Sequence, residues 1–160
     1  MKKRKKNKNN DFSKLLKKNI NEESLALNYL NKGDYRSAIK LYKKLIIKNP
    51  SNFILYVNLA EIYLSLSINI DESFSLLQKS ISIKSNYFKT YNLMGVCLRN
   101  KGKIKESISY FKKSIFFKSN ESLTFFNLAF SYQTLNDLNN AITHYQKALD
   151  LKSDFLEALN

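Results

Sequence analysis

The sequence predicts an all-α fold in which antiparallel helix pairs stack into a solenoid, and three observations predict it. Gly occurs three times and Pro once in 160 residues, too few for the turns of a sandwich or barrel. Apolar residues recur with the helical period. The chain also repeats itself about every 34 residues, as arrays do when each unit buries its face against the next.

Residues 1–18 stand apart from the repeats. They carry nine Lys or Arg against Asp11 alone, a charge of +8, while the other 142 residues carry +6 of the total +14. This segment reads as a disordered, solubilising leader. Its KKRKK run at 2–6 is also suited to RNA, an anionic lipid surface or an importin-like receptor through screened charge. No apolar h-region follows it, so it is not a secretory signal. No apolar run reaches the 18–20 residues of a membrane span. A single cysteine, Cys97, excludes an intrachain disulfide and suits a reducing compartment. A cytoplasmic protein is expected.

The repeats come next. NKGDYRSAIKLYKKLIIKNPSN (31–52), NKGKIKESISYFKKSIFFKSN (100–120) and LNDLNNAITHYQKALDLKSD (135–154) follow one template, and residues 70–86 form a looser copy. Ala38, Ser73, Ser107 and Ala141 are spaced by 35, 34 and 34 residues; Ala26, Ala60, Gly95 and Ala129 by 34, 35 and 34. One extra residue therefore falls between Ala60 and Ser73, in a turn around Ser67–Asp71, where insertions are tolerated.

Each unit reads as a helix, a turn and a second helix. Tyr56, Leu59, Ala60 and Tyr63 form one stripe in the first half of unit two; Ile104, Ile108, Phe111 and Ile115 form one in the second half of unit three. Gly33 and Gly102 fall between the halves, where positive φ is needed to stop one helix and reverse the chain. Pro50 ends the second helix of unit one. Ser85, Ser119 and Ser153 fill that slot later, and Ser-Asn or Ser-Asp there is expected to cap the next helix.

Read together, these residues resemble the tetratricopeptide repeat. Its leucine slot holds Leu25, Leu59, Met94 and Leu128, and the small slot after it Ala26, Ala60, Gly95 and Ala129. Its tyrosine slot holds Tyr29, Tyr63, Leu98 and Tyr132. The second helix carries Ala38, Ser73, Ser107 and Ala141 in its small slot and Tyr42, Leu77, Phe111 and Tyr145 in its large one. Departures are Glu22 for a bulky residue, Leu45 for a small one and Ser for Pro three times. The resemblance implies a right-handed superhelix. It divides the chain into the leader (1–18), four units (19–52, 53–87, 88–121 and 122–155) and the start of a further helix (156–160). Phe155, Leu156 and Leu159 fall in register with a fifth unit, so self-association through an uncapped C-terminal end is possible.

Small side chains at fixed spacing have a physical purpose. Two helices approach closely only where one presents Ala, Gly or Ser and a large neighbour fills the gap.

Chemistry finds no footing. His144 is the only histidine, without a nucleophile paired to it, and reads as a surface or groove-edge residue. Cys97 lies mid-helix and reads as a small packed residue. No cluster has metal-ligand spacing, and no glycine-rich phosphate loop exists. No enzyme activity and no cofactor are expected.

The resemblance implies a binding scaffold instead, gripping a protein or peptide in the concave groove lined by the first helix of each unit. By repeat phase the groove should present Glu23, Leu27, Val57, Asn58, Glu61, Asn92, Val96, Arg99, Phe126, Asn127, Phe130 and Gln133. Val57, Val96, Phe126 and Phe130 would then be free of core duty, unless a further helix pair or tail covers them. The carboxylate clamp of chaperone-binding relatives is matched only by Asn58 and Lys89. The asparagine ladder of arrays that precede glycosyltransferase domains is matched by Asn58 and Asn127, but not by Ser24 or Leu93. Two further readings stay open: a substrate-recruiting arm of a glycosyltransferase or other transferase whose catalytic domain lies outside this chain, and nucleic-acid binding through the leader. Lys44, Lys79, Lys113 and Lys147 form a column on successive second helices and read as a solvated face.

Overall fold

The structure, a computed structural model, describes residues 22–157, and their side chains as far as Lys152. The basic leader expected at 1–18 lies outside the described residues, as do 158–160 and the side chains of Phe155, Leu156 and Leu159. Eight helices and no strand occur among the described residues. They are α1 (22–31), α2 (Tyr35–Lys48), α3 (Phe53–Ser65), α4 (Ile70–Ile83), α5 (Phe88–Asn100), α6 (Ile104–Phe117), α7 (Ser122–Thr134) and α8 (Leu138–Glu157). None is long and apolar enough to cross a membrane.

The turn inside each pair is built the same way four times. Gly33 donates its N–H to Leu30 and Asp34 to Tyr29; Gly102 donates to Arg99 and Lys103 to Leu98. Ser67 and Ile68 repeat this with Leu64 and Tyr63, and Asn136 and Asp137 with Gln133 and Tyr132. This double bond back across the last turn is the Schellman arrangement, which requires a left-handed residue one position past the helix cap. Gly33 and Gly102 take φ of 74° and 75° without penalty, whereas Ser67 and Asn136 are held at 55° and 61°. The extra residue of unit two falls here, as its spacing predicts, and it forces Asn69 to φ 48° as well. Ser67 thus carries a side chain where glycine belongs. Ser67→Gly should raise stability by about 0.5–1 kcal/mol, read as a higher urea midpoint at unchanged slope.

Between pairs, α4 and α6 end on an extended residue, Lys84 or Lys118, and α2 ends on Asn49 at φ −130° and ψ 68°. Tyr56 Oη then donates to the Pro50 carbonyl at 2.9 Å, and Tyr91 Oη to the Ser85 carbonyl at 2.6 Å. The first bulky slot of α3 and of α5 thereby ties down the loop before it, whereas α7 carries Phe125 there and makes no such bond. The caps expected from Ser85–Asn86 and Ser119–Asn120 are not made. Tyr87 and Glu121, one residue later, hold the cap positions without a side-chain bond; of the caps of α3, α5 and α7, only Asn52 bonds through its side chain, accepting from Ile54 N–H at 3.2 Å. Nor does a helix end at Ser153, because α8 continues to Glu157. Ser and Asp are mediocre helix formers, not breakers, so nothing in the local sequence stops it.

The core follows the small–large pattern. Ala26, Ala38, Ala60 and Ala129 are fully buried, as are Ser73, Ser80, Ser107 and Ser114. Burying hydroxyls costs little here because each is bonded. Ser73 donates to Asn69 O, Ser107 to Ile104 O and Ser114 to Phe88 O, while Ser80 pairs with Thr90 and Ser107 with Ser131. Gly95 makes room for the Phe111 ring, 0% exposed.

Candidate functional site

Which side of the array is concave follows from helix contacts. Helix α3 touches α5, and α5 touches α7, whereas no contact joins α2 to α4 or α4 to α6. A stack whose inner helices adjoin and whose outer helices are splayed must curve towards the inner ones. Helices α3, α5 and α7 therefore line the hollow.

The expected groove residues divide into three groups. Leu27, Phe126 and Phe130 are exposed, at 51%, 49% and 44%, and Gln133 is exposed while accepting from Tyr145 Oη at 2.8 Å. Glu23, Asn58, Glu61, Val96 and Arg99 are half-buried. Their polar groups are engaged: Glu23 accepts from Asn52 Nδ2 at 3.2 Å, Asn58 donates to Tyr42 Oη at 3.4 Å, and Glu61 pairs with Lys89 at 2.8 Å.

Val57, Asn92 and Asn127 are buried. For Val57 this corrects the expectation that it is free of core duty: it packs with Leu93 and Met94 of α5. The cause is the close approach of α3 to α5, which encloses the flank that repeat phase alone assigns to the surface. Asn92 and Asn127 meet across the same kind of contact, Asn127 Nδ2 donating to Asn92 Oδ1 at 3.1 Å. The two asparagines of the ladder, Asn58 and Asn127, thus both have partners within the fold.

Arg99 organises the centre of the hollow. Its Nη1 donates to both the main-chain and side-chain oxygens of Asn127 at 3.3 Å. Its guanidinium lies 5.0 Å from the Phe130 ring centroid and 5.8 Å from that of Phe111, within cation–π range. Burial pulls its pKa below the ordinary arginine value, with Tyr145 acting the other way. Beside it, Phe126 meets Tyr145 edge-on at 5.4 Å. Leu123, 60% exposed on the same helix, extends this apolar strip. Sequence reasoning missed it, although it lies three residues before Phe126 on the same stripe.

The remaining candidates are structural. Cys97 is fully buried, donates to Ile70 O at 3.3 Å, and has its pKa raised chiefly by burial, which leaves the thiol unreactive. His144 stacks on Phe125 and tilts against Tyr132, its Nδ1 2.7 Å from Asn140 O. In the lysine column, Lys44 pairs with Glu22, and Lys113 lies over Tyr110. No metal-binding group of His, Cys, Asp or Glu occurs among the described residues.

Known proteins agree with this architecture. No curated protein matches the chain. Many solved structures do. A structure of MamA MSR-1 is 25% identical over 83% of this chain and 76% of its own, with a TM-score of 0.68. A crystal structure of MamA reaches 0.74 at 19% identity, over 91% of this chain and 87% of its own. MamA residues 41-end from Desulfovibrio magneticus RS-1 give 0.73 at 17% identity, over 83% and 75%. Models of the tetratricopeptide repeat match residues 24–52, 88–115 and 122–155, together more than half of the sequence. With four like turns, nested small residues and inner helices that adjoin, the chain belongs to the tetratricopeptide repeat family.

Proposed function

We propose that this chain is a non-catalytic scaffold that grips an extended or helical segment of a partner protein in the hollow of α3, α5 and α7. The single observation that carries this reading is the pair Phe126 and Phe130, half exposed on α7 beside Arg99. Large aromatic side chains left open on a concave face are rare on surfaces without a partner, and buried aromatic and arginine anchors dominate binding energy where partners dock. Around them Val96, Leu123 and Gln133 supply apolar contact and an amide. The Asn92–Asn127–Arg99 network holds the walls rigid, so little ordering cost falls on binding. Division into four units at 19–52, 53–87, 88–121 and 122–155 is part of this proposal.

The test is a peptide library selected on the wild-type chain, with the enriched peptides then titrated against Phe126→Ala/Phe130→Ala. Loss of two anchors should weaken binding roughly 10- to 100-fold, with the melting temperature within a few degrees of wild type. Equal affinity for both proteins would refute the groove.

A further inference from the structure

Four copies of one unit allow each residue to be compared with its own counterparts, and one slot of the inner helices is filled against the pattern. Leu30, Leu64, Arg99 and Gln133 stand one residue after the tyrosine slot in units one to four. Leu30 packs against the first core cluster, and Leu64, 7% exposed, belongs to the second. Unit three puts a guanidinium in that half-buried place. Leucine there sheds water at no cost, whereas a charge without a counter-charge does not. The other three units fold without the exchange.

Nothing among the described residues balances this charge. No ion pair joins Arg99 to a carboxylate there. Helices α5 and α7 carry Lys89 and Arg99 and no Asp or Glu, and Lys89 is already paired with Glu61 at 2.8 Å. The last turn of α5 and the oxygens of Asn127 offer Arg99 partial charges only. Burial disfavours the cation and is the first cause of its lowered pKa, but arginine stays protonated.

The unused part of the guanidinium has a definite shape. Nη1 is spent on the two oxygens of Asn127, and the contact with Phe130 at 5.0 Å holds the group in place. Nε and Nη2 donate to no atom of the described residues, where every buried side-chain nitrogen and oxygen has a partner. Both therefore reach solvent. They form one edge of the fork, and its two parallel N–H groups match the two oxygens of a carboxylate.

That carboxylate has to come from a partner, and from within the partner's chain. Residues 1–18 carry +8 and are repelled by Arg99. A C-terminal carboxylate is held by donors converging from several units, and the residues that match such a clamp are engaged. Asn58 donates to Tyr42 at 3.4 Å, and Lys89 is paired. Arg99 offers a single edge, with Val96 one turn before it on α5 and Phe130 across from it on α7. Apolar wall continues on both sides, so a bound segment runs past.

We infer that the hollow recognises a segment bearing an internal aspartate or glutamate, seated on the Nε–Nη2 edge of Arg99 with an apolar side chain beside it against Phe130. The inference rests on the hollow as the binding surface and adds the chemistry of its ligand.

Random peptides of about a dozen residues, blocked at both ends and selected on the 160-residue chain, test it. The binders should share one Asp or Glu next to an apolar residue. Changing that residue to Asn or Gln should weaken binding to the wild type roughly 10- to 100-fold, and binding to Arg99→Leu not at all. Arg99→Leu copies units one and two, so its helical circular dichroism should be unchanged. If it loses helicity, Arg99→Gln, which copies unit four, replaces it with the same expected outcome. Arg99→Glu should select Lys or Arg at the same position. Binders that weaken with Phe126→Ala/Phe130→Ala yet share no acidic position overturn the carboxylate site alone, as does an acidic preference that survives in Arg99→Leu. Selection of binders only when the C-termini are left free overturns the internal carboxylate. A library that yields no binder in either form overturns the hollow and the carboxylate site together.

Discussion

Gly95→Leu should destabilise the array by about 3 kcal/mol or more, the largest loss expected from any single enlargement. A Cβ at this position would stand 2.5 Å from Phe111 Cε1 and 2.7 Å from Cδ1, and the ring has no room to retreat because it is 0% exposed. Even Gly95→Ala should destabilise. Its gain of about 1 kcal/mol in helix propensity is opposed by an overpacking cost of about 1–3 kcal/mol. The remedy is written elsewhere in the chain: unit two places Ala60 and Leu77 in the same two slots, both fully buried. Gly95→Ala/Phe111→Leu copies that pair. Denaturant unfolding of the two single variants and the double should therefore reveal a favourable coupling of about 1 kcal/mol or more. Additive losses would mean that the slots do not touch.

Tyr42→Ala should cost about 3–5 kcal/mol. Tyr42 is 1% exposed in the cluster that joins α1, α2 and α3, so truncation leaves a cavity where the first two pairs meet. Tyr42→Phe removes only the hydroxyl that accepts from Asn58, and should cost about 1 kcal/mol. A pH effect accompanies it. Burial is the first cause holding the Tyr42 pKa above its ordinary value, with the Asn58 bond acting against it. The folded chain thus keeps this proton to higher pH than the unfolded chain does. Its contribution is complete below the unfolded value near 10 and is lost as pH rises through the folded one. Tyr91 shifts in the same direction, again first through burial. Stability should fall above about pH 10, and less steeply in Tyr42→Phe. An identical alkaline slope in both proteins would contradict the assignment.

The helices, the turns and the nesting were legible because each rests on local chemistry repeated four times. Gly33 and Gly102 mark reversals through φ, and the extra residue of unit two was placed from spacing alone. The groove was legible only in part. Repeat phase tells which way a residue points from its own helix, and so it assigned Phe126 and Phe130 to the open side. It does not tell how closely two inner helices approach, so Val57 was expected in the groove and lies in the core. Ser85, Ser119 and Ser153 misled for a related reason. A serine after an outer helix is compatible with a cap, but the cap falls at Tyr87 and Glu121, and at Ser153 the helix runs on. The open edge of Arg99 is invisible in sequence, which shows an arginine in a leucine slot but not which of its nitrogens are engaged.

The most direct measurement is an amide chemical-shift titration of the full chain with a peptide selected as above. Nested pairs that leave their inner wall open to a guest predict shifts concentrated on α5 and α7, around Val96, Arg99, Phe126 and Phe130, with α2 and α4 unmoved. Shifts centred on the lysine column of the outer helices, or on residues 1–18, would contradict it.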